Sequence, residues 1–368
     1  MWLARLHARF HGSSPPFPRA AGGVESHSPA NIPPQPTTVD VAQLHRLLAR
    51  AREHVRLGNW DDARAAALDA LAADPQCSWT HYALGEVHAG LEEWHEAAAA
   101  FERAAALAPE PFWPSYRHGH ALWHLNHFEA AARALRAALR IDPDHFWARY
   151  WLGLSFLKLE RWKDAARELR AAIRLDGRVA WAHGSLSIAL GGLRRWNEAA
   201  VAARRAIDFA PAFKDARSAL VRALVGCGDL EGALEAMQEL LFDPQRDWQL
   251  HAAHGDLLVR LGRANEAAVA YRHAVDEAPR PESLEIGDKL VELGRVDYAI
   301  AAYVRGIVID PTHASGYQRL ARLLASIGRA GEARMVFQRG AELGAIDPGM
   351  ASALVPDHAP VRSAALPR

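Results

Sequence analysis

The sequence predicts an all-α protein, an α-α superhelix of antiparallel helix pairs. Three observations carry the prediction. One pattern recurs at a fixed step, small and apolar positions within each period fall at helical spacing, and prolines or glycines punctuate the periods. The step is about 34 residues, and self-similarity at such a period marks a stacked array in which each unit buries its apolar face against its neighbours.

The clearest period is Phe146 to Gly177, FWARYWLGLSFLKLERWKDAARELRAAIRLDG. With Phe146 as position 1, Gly153 is position 8, Ala165 position 20, Ala172 position 27 and Gly177 position 32. Earlier periods return Gly119, Ala131, Ala138 and Pro143, then Gly85, Ala97, Ala104 and Pro109, then Ala51, Ala63, Ala70 and Pro75. The next period downstream returns Ser187, Ala199, Ala206 and Pro211. Leu152, Gly153 and Phe156 share one helical stripe, and Ala165, Leu169 and Ala172 share a second, so each period reads as two helices. Glu160-Arg161 is the turn between them. Proline cannot continue a helix and drives the residue before it out of helical geometry, so Asp142-Pro143 and its equivalents end the unit. Small residues at 8, 20 and 27 let the two helices approach closely.

This pattern resembles the tetratricopeptide repeat (TPR) family, which carries Leu-Gly at 7–8, Ala at 20 and 27, a bulky residue at 24 and Pro at 32. Nine units are counted, from about Leu44 to Gly344, the later ones starting near Lys214, Trp248, Arg280 and Ala314. Ala233, Ala267, Ala299 and Ala333 hold position 20 in those units, and Gly228, Gly262, Gly294 and Gly328 sit at the turn. Arg50-Ala51 at 7–8, Val221 at 8, and a shortened step between Pro279 and Pro311 depart from the pattern. The expected organisation is a disordered proline-rich arm over 1–38, a solenoid over 39–344 and a tail over 345–368.

Composition narrows the function. Lys and Arg total 43, and so do Asp and Glu, so no general basic face is available for phosphate neutralisation. Nucleic acid is therefore not an expected partner. Cys77 and Cys227 lie in different units, which excludes a disulfide-stapled scaffold and fits a reducing, cytoplasmic setting. No apolar run is long enough to span a bilayer. The opening MWLARLHARF has a faint amphipathic, transit-peptide-like character, against the plainer reading of a frayed terminus. The prolines from Pro15 to Pro36 suggest an extended arm that folds back as an internal ligand.

The candidate site lies on the first helices. Positions 2, 5, 9, 12 and 13 form a stripe that, in the resembled family, lines a concave peptide-binding groove. Here position 2 is Trp79, Trp113, Trp147 and Trp181, position 5 is Tyr82, Tyr116 and Tyr150, and Trp123 adds position 12. Glu86, His120, His124 and Lys158 are its polar members. Two readings of the tryptophans stand side by side: packing on the preceding loop, or a ligand-facing row. The aromatics at position 17, Trp60, Trp94, Phe128, Trp162 and Trp196, begin the second helices and are expected to pack on the turn. The asparagine ladder of the family is absent, with Ala83, Arg117, Trp151 and Ser185 at position 6. Units six to nine offer charges instead, among them Asp256 and Asp288.

His120 and His124 fall one helical turn apart and share a face that Glu86 adjoins, but no HExxH or cysteine pair accompanies them, and polar lining is the favoured reading. No GxSxG elbow, phosphate loop or paired Cys/His signature is present. No catalytic residue, metal or cofactor is expected. The reading is a non-enzymatic scaffold that holds a protein or peptide partner, with recruitment to a bacterial glycan-modifying system as the alternative.

Overall fold

The computed structural model describes residues 40–241 and 248–346. The proline-rich arm, the N-terminal amphipathic stretch and the tail beyond Ile346 lie outside the described residues. Eighteen α-helices and no strand occur among those described. They fall into two compact units divided at Cys227/Gly228.

The first unit holds α1 (Val41–Leu57), α2 (Trp60–Ala73), α3 (Ser78–Gly90), α4 (Trp94–Leu107), α5 (Phe112–His124), α6 (Phe128–Ile141), α7 (Phe146–Lys158), α8 (Trp162–Leu175), α9 (Ala180–Gly192), α10 (Trp196–Phe209) and α11 (Lys214–Cys227). The second holds α12 (Leu230–Leu241), α13 (Trp248–Arg260), α14 (Ala264–Val275), α15 (Arg280–Glu292), α16 (Val296–Ile309), α17 (Ala314–Ser326) and α18 (Ala330–Glu342). Within each unit, helices pack chiefly against their neighbours in sequence, so the core is a row of small interhelical seams. First helices begin at Ser78, Phe112, Phe146, Ala180, Lys214, Trp248, Arg280 and Ala314, where the periodicity places them.

Alanine and glycine make the seams. Ala63, Ala97, Ala131, Ala165 and Ala199 at position 20 are fully or almost fully buried. A Cβ added to Gly85 would sit 2.7 Å from the Phe101 ring, and one on Gly153 would sit 2.7 Å from Leu169 Cγ. The missing Cβ at position 8 thus accommodates the bulky residue at position 24 of the same unit. Several second helices end in a residue outside helical geometry: Asp74 has φ −144°, Asp142 −123° and Asp310 −141°, each before a proline. Asp176 adopts φ −139° before Gly177, so proline is not required. Its Oδ1 accepts from the Arg178 N–H at 2.9 Å, as Asp74 Oδ1 accepts from Gln76 at 2.9 Å, which holds the bend locally.

The turn between paired helices needs a left-handed residue. Gly58, Gly228, Gly262, Gly294 and Gly328 supply it with φ between 68° and 86°. In four units a side chain bears the strain instead: Glu92, Asn126, Glu160 and Arg194 have φ of 61°, 61°, 55° and 58°. The shortened step is absorbed in the seventh unit. Its second helix, α14, stops at Val275 after 12 residues, and Pro279 serves as the N-cap residue of α15 rather than ending the unit before it.

Candidate functional site

The first helices present their position-2 tryptophans at successive starts: Trp79 on α3, Trp113 on α5, Trp147 on α7 and Trp181 on α9. All four are half-buried, and none stands as an exposed hydrophobic residue. Trp79 packs on the cluster of Leu44, Leu48 and Ala70 from the preceding pair. Trp113 makes an edge contact with His145, the N-cap of α7, at 5.6 Å between ring centroids. Each of the first three tryptophans also meets the tyrosine of its own helix: Trp79–Tyr82 at 5.5 Å, Trp113–Tyr116 at 6.3 Å and Trp147–Tyr150 at 5.8 Å. The rings are therefore held rather than free to rotate.

Behind the row lies a buried layer. Tyr116, His120, Trp123 and Tyr150 are buried, with Tyr150 1% and His120 2% exposed. They back the face instead of lining it. Tyr82, Glu86, His124 and Lys158 are half-buried. Burial pushes the Tyr82 phenol up, and the adjacent Glu86 carboxylate adds to the shift.

Position 9 reaches forward to the next pair, a role the sequence stripe did not reveal. Glu86 bonds the Arg117 guanidinium, His120 meets the Trp151 ring at 4.6 Å, and Asp288 accepts from Arg319 at 2.6 Å. Each contact joins position 9 of one unit to position 6 of the unit that follows. Arg117 and Trp151, which stand where the family carries asparagine, are thus partners of the preceding repeat. Asp256 and Asp288 are likewise engaged rather than open. Tyr271 Oη donates to Asp256 at 2.5 Å, Tyr303 Oη donates to Asp288 at 2.7 Å, and Lys289 pairs with Asp256.

Position 13 is also an inter-repeat position. The imidazole of His124 lies flat on Trp94, with centroids 3.8 Å apart and planes at 3°. Where position 13 is glycine, as at Gly90, Gly192 and Gly226, a Cβ would overlap the ring of Trp60, Trp162 or Trp196. These position-17 tryptophans therefore pack across the seam onto the following first helix, not merely on their own turn as expected. The signal was present in the sequence: Trp60 and Gly90, Trp162 and Gly192, and Trp196 and Gly226 share one constant separation.

His120 and His124 approach at 3.2 Å between Nε2 atoms. Burial, then the charge of Arg117, drives His120 well below the usual imidazole range and pushes His124 down to about 4. Both rings are neutral near pH 7. His120 is enclosed by Trp94 at 5.8 Å and Trp151 at 4.6 Å, and Glu86 is committed to Arg117. Among the described residues, no group of three His, Cys, Asp or Glu stands ready to hold a metal ion. Lys158 lies over the Trp123 ring at 5.8 Å, and burial lowers its ammonium from the ordinary range.

No helix among the described residues is long and apolar enough to cross a membrane. The profile of the tetratricopeptide repeat family matches residues 48–110, 116–180 and 218–282, more than half of the chain. No curated protein matches it. Among solved structures, PilF of Pseudomonas aeruginosa is similar with a TM-score of 0.50 at 16% identity, over 60% of this chain and 98% of that one. A tetratricopeptide repeat protein of Parabacteroides merdae is similar with a TM-score of 0.49 at 16% identity, over 68% of this chain and 98% of that one. YrrB, described as a TPR protein with an unusual peptide-binding site, is similar with a TM-score of 0.43 at 22% identity, over 46% of this chain and 88% of that one. At these identities the likeness is one of fold.

Proposed function

The chain belongs to the tetratricopeptide repeat family, and from that premise we propose that it is a non-enzymatic scaffold that holds a peptide or helix of a protein partner. The family fold supports an interaction role in general. The finer reading places the partner on the first-helix face between Trp79 and Trp181, over the groove that such arrays form.

One observation carries that placement. Four tryptophans, one in each of four successive repeats, remain half-buried at the starts of the first helices. The first three rings, Trp79, Trp113 and Trp147, are fixed by contacts with tyrosine, histidine or the preceding pair, and a face so held loses little entropy when a partner arrives. Tryptophan and tyrosine are also the residues in which binding energy concentrates. The half-buried Lys158 supplies a polar contact at the margin, suited to fixing the register of a partner whose affinity comes from apolar burial.

The test is affinity capture with the wild-type chain and with Trp113→Ala/Trp147→Ala, after far-UV circular dichroism has shown equal helix content. A partner held by the wild type and lost by the variant is the expected result. A partner held equally by both moves the docking site off this row.

A further inference from the structure

We propose that a cavity between α8, α9 and α10 binds a small single-chain carboxylate amphiphile, its hydrocarbon on Ile173, Leu186 and Leu190 and its head between Arg174 and Arg205. The cavity holds about 500 Å³, within the roughly 300–1,000 Å³ range of small-molecule sites. It lies between two successive second helices, with α9 as its floor, so it is separate from the tryptophan row.

The preceding repeat shows why the space is open here. At the equivalent place there, Arg149 Nη1 pairs with Glu168 at 3.2 Å, closing the gap between α7 and α8. Phe156, fully buried, fills the floor, with Arg136 and Arg161 over its ring at 5.0 and 4.7 Å. One period on, those three positions are His183, Ala202 and Leu190. His183 turns its Nε2 to the Gly177 carbonyl at 2.9 Å, Ala202 carries no acid, and leucine is smaller than phenylalanine. Bolt and filler are both missing, and the cavity remains.

Its charge is one-sided. Glu198 is the acid at the rim, and it already accepts from Arg170 at 3.0 Å and from Arg195 at 2.6 Å. Arg174 and Arg205 have no carboxylate partner among the described residues. Two unpaired guanidinium forks beside an apolar floor match a ligand with one hydrocarbon body and one carboxylate, which arginine binds in a fixed planar geometry. A peptide would bring backbone N–H and C=O groups that the aliphatic floor cannot satisfy.

The experiment is calorimetric titration of the full chain with decanoate below its micellar concentration. Two variants accompany it: Leu190→Phe, which restores the filler of the preceding repeat, and Arg174→Gln/Arg205→Gln, which changes only surface side chains. The expected result is saturable binding of one decanoate at this site, weakened at least tenfold by each variant, with decanol binding more weakly than decanoate. If Leu190→Phe loses helix content, the arginine pair decides. Absence of saturable binding overturns the proposal, as does decanoate binding that the arginine variant leaves unchanged. Displacement of decanoate by acetyl-Leu-Leu-Glu at higher affinity than decanoate itself overturns the choice of occupant.

Discussion

The indole of Trp94 and the imidazole of His124 lie parallel, 3.8 Å apart, across the seam between one helix pair and the next. The same seam is made by Trp60 over Gly90, Trp162 over Gly192 and Trp196 over Gly226. In these four seams the indole faces either another flat ring or no side chain at all. Position 13 thus complements the preceding position 17, and the contact holds neighbouring repeats in register.

Gly192→Ala tests this seam by the sign of its effect. In an exposed helix the change gains about 1 kcal/mol from backbone entropy. Here the new Cβ would overlap the fused edge of the Trp162 indole, and overpacking costs about 1–3 kcal/mol. The urea midpoint of the variant should fall. In a Trp162→Ala background the same substitution should raise it, and equal effects in both backgrounds would remove the proposed complementarity.

Arg194→Gly should stabilise the chain. Arg194 holds φ 58° in an exposed turn where other units use glycine. A left-handed non-glycine residue costs roughly 1 kcal/mol, and glycine avoids it. Thermal or urea unfolding should show a gain of about 1 kcal/mol. Asn126→Gly should gain less, because asparagine tolerates this conformation better.

The two histidines predict a loss of stability in mild acid. His124 titrates at about 4 when folded, against about 6.5 in an unfolded chain. A depressed imidazole value means the unfolded chain takes up protons first. Stability is therefore complete above about pH 6.5 and falls as pH drops toward 4. His124→Phe keeps a ring on Trp94 and removes one proton site. The pH dependence of its unfolding midpoint should be shallower between pH 6.5 and 4, and an unchanged slope would assign the acid response elsewhere.

Glu86→Ala should cost about 2 kcal/mol, between the values for exposed and buried ion pairs, since both side chains are half-buried. It leaves the Arg117 guanidinium, 16% exposed, without this carboxylate. Burial works against that charge, but Glu86, together with Tyr82 and Tyr116, offsets it and holds Arg117 above its usual range. Glu86→Ala/Arg117→Met should recover much of the loss in equilibrium unfolding. Failure to recover would mean that Glu86 acts through some other contact.

Much of the fold was legible in the sequence. Helix pairing followed from the small residues that recur at 8, 20 and 27, because small side chains there allow close approach within each period. The starts of α5, α7 and α9 fell where Phe112, Phe146 and Ala180 placed them. Four candidate site residues were misjudged in depth: Tyr116, His120, Trp123 and Tyr150 sit behind the face. A helical wheel gives direction within one helix and has no information about the neighbour that covers it. The contacts of Trp151 and His145 were not legible for the same reason, since their partners, His120 and Trp113, belong to the preceding repeat.

The amino-acid order alone determined that this is a stack of helix pairs and where the first helices from Ser78 onward begin, because those properties depend on spacing within one period. Only the tertiary structure decided which polar and aromatic groups are spent between repeats, as with Glu86–Arg117 and Trp94–His124, and which remain partly open to a partner. Burial depends on what the adjacent repeat brings to the seam, and that meeting joins residues almost a whole repeat apart, beyond the reach of any local pattern.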